Sequence, residues 1–164
     1  DTPLAQAAND AARDVPEPGC SEHQTPFAVD ILPVRDARSA PDFRPLSDSA
    51  EGRWLLENAA AYGFVLREGL RESESCAAGH FRYVGADHAR VMHAMRLSFP
   101  AYLAYLRENG VAVLLENGAP RLAVLCFPMT EAGATFLVPE NAVRVSVSGD
   151  NAGFAIALCA FPER

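Results

Sequence analysis

From Gly110 to its end, the chain reads as short apolar runs at 111–115, 122–127, 134–138, 143–147 and 155–161, separated by turn signals. Runs of this length are too short for core helices and suit strands. Asn117-Gly118, between the first two runs, is a hairpin signal, because both residue types tolerate the left-handed backbone that a tight two-residue turn requires. Residues 150–153 read as another turn. Residues 110–164 are therefore expected to form a small all-β subdomain that follows a first part, 1–109, of different texture.

That first part mixes helix and strand signals. The alanine-rich stretch 5–13 has the composition of a helix end and is broken by Pro16, Pro18 and Gly19. Residues 27–34 form an apolar run with β-branched Val29, Ile31 and Val34, a strand that carries Asp30 near its start. Residues 35–47 are polar and contain Pro41 and Pro45, as a loop would. Asp48 followed by Glu51 has the form of a helix start. Trp54, Leu55, Asn58, Ala59 and Tyr62 recur at helical spacing to Gly63, which supplies the stop. A strand at 64–67, a polar loop at 68–79 and a strand at 80–84 follow. A helix from Asp87 to Ser98, ended by Pro100, and a further helical piece at 101–108 complete this part. The expected class is α+β.

With 164 residues, 49% of them hydrophobic and 21% charged, the chain has material for one packed domain, or one with a small appendage. Its net charge of −7 repels nucleic acid and anionic membrane surfaces alike, which leaves small molecules or peptides as partners. No apolar run approaches the ~20 residues of a membrane span. The polar start at Asp1 carries neither a basic nor an apolar leader region. Because the chain begins without Met, it reads as a processed or trimmed piece.

The segment 21–30 places His23 and Asp30 seven residues apart across a loop entering a strand, and His80 opens another strand fifty residues later. Two neutral imidazoles and one carboxylate are the donor set of a catalytic zinc site, which leaves the fourth tetrahedral position open. Taken alone, a histidine near an aspartate is more often an ordinary surface residue. Four cysteines fit neither a dense disulfide framework nor a Cys-x-x-Cys knuckle. Cys20 stands three residues before His23 and Cys76 four before His80. If the histidines share a metal, a Cys20–Cys76 disulfide, two unpaired thiols, and Cys76 as an extra ligand all stand as readings. Cys126 and Cys159 lie in apolar runs, where buried free thiols are the default.

Three blocks occur in order: Ser-x-His-x6-Asp at 21–30, Trp-Leu-x2-Asn-Ala-x2-Tyr-Gly-Phe-x-Leu-Arg at 54–67, and His-Phe-Arg-Tyr-Val-Gly at 80–85. Together they resemble the VanY-type D-alanyl-D-alanine carboxypeptidases, zinc enzymes of bacterial peptidoglycan metabolism, over roughly residues 15–108. The resemblance implies a small antiparallel sheet flanked by helices, with His23, Asp30 and His80 as zinc ligands. It also implies that Ser21 lies beside the site and that Arg82 supports it from the strand. It implies as substrate a peptidoglycan stem peptide ending in D-Ala-D-Ala, and a place at the cell envelope.

The chain departs from that family at defined positions. The general base of the family, a glutamate three residues before the last ligand histidine, is replaced by Ala77, and a methyl group cannot carry protons. Gly79 stands where an aromatic residue usually precedes the histidine, and Pro26 where the first block usually has glycine. The family also holds the substrate carboxylate with an arginine upstream of the first block, and this chain starts after that segment. Glu22, Glu72 and Glu74 are the acidic residues that could substitute for the base, while His88 and His93 read as ordinary helix residues. Three readings follow: a zinc peptidase, a relative that binds metal and cell-wall ligand without turnover, and a structural zinc module closed by Cys76.

Overall fold

The computed structural model describes residues 3, 6, 19, 21–32, 45–67, 79–131, 133 and 135–163. Backbone contacts divide the chain into two compact units, residues 1–86 and 87–164.

In the first unit, β1 (Ala28–Ile31), β2 (Phe64–Leu66) and β3 (Gly79–Tyr83) form an antiparallel sheet in the order β1-β3-β2. Side chains alternate across a strand, so β3 separates two jobs. Phe81, paired with Val29 on one side and Leu66 on the other, turns inward and is buried with Leu46 and Ala59. His80 and Arg82 turn to the opposite face. Leu55 and Leu56 of helix α1 (Ala50–Asn58) pack on the Phe81 cluster together with Ile31, Phe64 and Leu66. A 3-10 turn at Ala59–Tyr62 continues α1, and Gly63 ends it in the left-handed conformation, φ 87°, as its sequence position foretold.

Two expectations for this helix are corrected. The cap is Ser49, whose Oγ accepts the Gly52 N–H at 2.9 Å, because Asp48 is taken up in the preceding 3-10 turn, Leu46–Asp48, and the extended backbone a cap needs falls one residue later. The inward face is Leu55, Leu56 and Ala59, so Trp54 and Tyr62, expected on the same face as Leu55 and Ala59, point outward. They are 53% and 63% exposed, and their rings lie 6.1 Å apart.

The second unit opens with α2 (Ala86–Met95), which starts at its boundary, and α3 (Phe99–Asn109). Pro100 lies in the first turn of α3 rather than serving as a stop for α2, a position where its missing N–H costs no intrahelical bond. Strands β4 (Val111–Glu116), β5 (Ala119–Pro128), β6 (Arg144–Gly149) and β7 (Phe154–Ala160) form an antiparallel sheet ordered β4-β5-β7-β6. Asn117 and Gly118, at φ 53° and 78°, make the expected two-residue hairpin. Val124, Ala157 and Cys159 of the two central strands are fully buried, as are Tyr102 and Leu106 of α3.

The run 134–138 was expected to be a strand. Residues 135–138 are not one: Gly133, at φ 92°, and Pro139, which has no N–H to donate, interrupt any ladder, and Phe136 instead stacks on Phe127 at 5.0 Å. Cys126 and Cys159 are free and buried, and burial pushes both thiols up. The stretch 5–13, apart from Gln6, lies outside the described residues, and so do the loop residues 35–44 and 68–78. No helix among the described residues is long and apolar enough to cross a membrane.

Candidate metal centre

The sheet register builds the site. Asp30 and His80 are direct partners across the β1–β3 ladder, so both side chains rise from the same face, and Arg82 follows two residues along, opposite Ala28. His80 Nδ1 lies 2.6 Å from Asp30 Oδ1. His23 arrives from outside the sheet, on a short 3-10 turn, Glu22–Gln24, capped by Ser21 Oγ, which accepts the His23 N–H at 3.2 Å. His23 Nε2 lies 3.1 Å from Asp30 Oδ2, and the two imidazole rings meet edge-on with centroids 4.8 Å apart. Ser21 thus shapes the turn that delivers His23.

One ligand atom from each of His23, Asp30 and His80 lies within 4.8 Å of the others. Tetrahedral ligands at about 2.0–2.2 Å from a zinc ion lie roughly 3.3 Å apart, so the three donors fit a single cation with little movement. The donor chemistry agrees: two nitrogens and a carboxylate oxygen suit zinc. His23 and Asp30 are each almost half exposed, so the group faces solvent, whereas the His80 side chain is only 11% exposed.

Beneath the donors lies a layer that the sequence pattern left unseen. Glu22 turns back from the 3-10 turn to Arg67, whose Nε and Nη2 donate to Oε1 at 3.1 and 2.8 Å. Arg82 Nη1 lies 3.3 Å and His80 Nε2 3.4 Å from Glu22 Oε2. Burial pushes the Glu22 carboxyl up, but the hydrogen bond and charge of Arg67, the charge of Arg82 and the contact with His80 outweigh it, so the group sits below the ordinary carboxylate value. Arg67 is itself positioned by the sheet, since its backbone N–H donates to the His80 carbonyl at 2.8 Å. Pairing the 64–67 run with the 80–84 run in register was the signal that could have found Arg67.

Of the other residues singled out in the sequence, His88 is half-buried with Nδ1 2.9 Å from the Tyr102 hydroxyl, and His93 is exposed. Cys20, Cys76, Ala77, Glu72 and Glu74 lie outside the described residues.

The first unit is thus an α+β unit that presents a His–Asp–His group, suited to a divalent cation, from one face of a small antiparallel sheet. The chain belongs to the VanY family of D-alanyl-D-alanine carboxypeptidases, whose pattern matches residues 4–86. It is 29% identical over 137 residues to a D-alanyl-D-alanine carboxypeptidase of Enterococcus faecium, covering 81% of this chain and 42% of that protein. A bifunctional D-Ala-D-Ala dipeptidase and D-Ala-D-Ala carboxypeptidase, VanXYC, of Enterococcus gallinarum is 36% identical over 99 residues, 56% of this chain and 50% of that protein. A D-alanyl-D-alanine carboxypeptidase of Enterococcus faecalis is 33% identical over 103 residues, 60% of this chain and 35% of that protein. The chain spans half or less of the length of these relatives. No solved structure matches it.

Proposed function

We propose that this chain is the metal-binding part of a zinc peptidase of D-alanyl-D-alanine carboxypeptidase type, working outside the cytoplasm on peptidoglycan stem peptides that end in D-Ala-D-Ala. The observation that carries the reading is the convergence of the His23, Asp30 and His80 donors within 4.8 Å, inside the segment that matches the family. A zinc ion held there supplies Lewis acidity toward the terminal peptide carbonyl and makes a water molecule acidic near neutral pH. His23, Asp30 and His80 hold the cation, and their exposure leaves a solvent-facing side for an extended peptide end. Arg82, two residues beyond His80 on the same face, supplies positive charge for a carbonyl oxygen that becomes anionic. The reaction adds water across the last amide and releases D-alanine.

Ala77 favours a second reading, in which the protein binds metal and cell-wall peptide without turnover. Glu22 does not fill the proton-transfer role in this reading, because Arg67, Arg82 and His80 engage both of its oxygens. Loss of a general base costs roughly 10²–10⁴ in rate. The test is release of D-alanine from a stem pentapeptide by the purified chain, with zinc and with chelator, for wild type, His80→Ala and Ala77→Glu. Zinc-dependent release by wild type that His80→Ala abolishes supports the peptidase. Zinc binding with no release until Ala77→Glu is present supports the binding-only reading. A chain that retains no metal overturns both.

A further inference from the structure

We propose that Glu22 is the positioning residue of the metal centre: clamped by Arg67 and Arg82, it accepts the Nε2–H of His80 and so turns the Nδ1 lone pair toward His23 and Asp30. The inference rests on the metal reading above. A neutral imidazole has one N–H and one lone pair, and only the lone pair can bind a cation. Of the two His80 nitrogens, Nδ1 is the one aimed at the donor group, 2.6 Å from Asp30. Nε2 must then carry the hydrogen, and the group facing it is Glu22 Oε2, at 3.4 Å. An ionised carboxylate accepts and never donates, so it selects that tautomer.

The clamp explains why the carboxylate stays where His80 needs it. Glu22 and His23 are adjacent in one 3-10 turn, yet their side chains do different work, His23 joining Asp30 and Glu22 passing to the far side of His80. Arg67, with its side chain only 8% exposed, holds Glu22 Oε1 through two N–H groups, while its own backbone N–H holds the His80 carbonyl. One residue therefore fixes His80 twice, directly at the backbone and through Glu22 at the ring. Arg82 adds a contact to the same Oε2 that faces Nε2. A lone solvated glutamate would leave the ring free to flip; this one is held at both oxygens.

The experiment combines two readings on the full chain. Zinc affinity is measured by competition with a chromogenic chelator for wild type, Glu22→Gln and Glu22→Ala, with circular dichroism to check folding. The His80 tautomer is read from long-range ¹H–¹⁵N correlations of the zinc-loaded wild type, which needs no variant. The expected results are an Nε2–H tautomer for His80, a 10- to 100-fold loss of zinc affinity in Glu22→Ala, and a smaller loss in Glu22→Gln, which keeps an acceptor. A metal-bound His80 carrying its proton on Nδ1 overturns the proposal, as does zinc affinity within threefold of wild type in a folded Glu22→Ala (a bound set well below the loss expected of an orienting carboxylate). If wild type binds no zinc, the metal reading falls and this proposal with it. If wild type binds zinc and the variants are indifferent, only this proposal falls.

Discussion

His80 and Asp30 face each other directly across the β1–β3 ladder, with Nδ1 2.6 Å from Oδ1. That pairing makes the site a by-product of sheet register: Phe81, the next residue along, faces the core on the same terms that turn His80 outward. His80 and the core residue Phe81 are coupled by one-residue alternation, and a slip of one position would exchange them.

Asp30 is almost half exposed and anchors no part of the Phe81 cluster. Asp30→Ala is therefore expected to change unfolding free energy by no more than about 1 kcal/mol. Zinc affinity should fall by at least about 100-fold, since losing even an orienting group outside the ligand shell costs 10- to 100-fold. Urea unfolding and zinc competition on the same preparation check both halves. A large loss of stability without a change in affinity would show that Asp30 is a structural partner of the two histidines.

Gly52 is the place in α1 where a helix-favouring substitution should do harm. A Cβ there would lie 1.9 Å from the Leu46 carbonyl oxygen and 2.8 Å from the Ser49 Oγ that caps the helix. In an exposed helix interior Gly→Ala stabilises by roughly 1 kcal/mol. Here backbone would have to move, and Gly52→Ala is expected to destabilise by about 2 kcal/mol or more. Trp54, on the same helix, gives the fluorescence signal for the unfolding curve.

His88 predicts the acid side of the stability profile. Burial holds its pKa below the ordinary 6.5, against the charge of Asp87, which raises it, and Tyr102 is its hydrogen-bond partner. Between the ordinary value and the lower folded one, the unfolded chain binds more protons, so stability rises with pH. The contribution is complete above 6.5 and is lost as pH falls through the folded value. Urea unfolding at about pH 7.5 and about pH 5 should show a steeper acid loss for wild type than for His88→Gln, with a difference of at most about 1.4 kcal/mol per pH unit. Equal slopes would mean that the ring is hydrated in the folded state.

What could be read in the sequence was whatever a short stretch of chain determines by itself. The Asn117-Gly118 hairpin, the Gly63 stop and the His23 and Asp30 pair in one turn-and-strand segment are of this kind. The layer under the His23, Asp30 and His80 group was not readable, because Glu22 and Arg67 are 45 residues apart and meet only through the register of β2 on β3. Trp54 misled for a related reason. Its helical spacing to Asn58 and Tyr62 grouped it with Leu55 and Ala59, whereas Leu55 and Leu56, one and two steps round the helix, are the residues that meet Phe81's cluster. Residues 135–138 show the converse, strand-like in character but left outside the sheet, with Gly133 and Pro139 on either side.

Asp150 anchors the turn between β6 and β7. Its Oδ1 accepts the N–H groups of Ala152 at 2.7 Å and Phe154 at 3.0 Å, and its Oδ2 accepts from Arg107 Nε of α3 at 2.7 Å. The side chain is 1% exposed, and deleting it removes the acceptor of three donors at once. Asp150→Ala is expected to cost about 1–3 kcal/mol, from the loss of a charged hydrogen bond to Arg107 and of the two backbone bonds that hold the turn. Asp150→Asn should cost less, keeping the acceptor for the two backbone N–H groups but setting an amide against Arg107 in place of a charge. Burial pushes the carboxyl up, but the backbone bond from Ala152, the Arg107 bond, the Phe154 bond and the Arg107 charge bring it below its ordinary 3.8. The ionised form therefore stabilises the fold fully above that value, and its contribution fades as pH falls through the lower folded one. Wild type and Asp150→Asn should differ most near neutral pH and converge in acid. A gap that stays constant across that range would show that shape, not charge, is what Asp150 supplies to the turn.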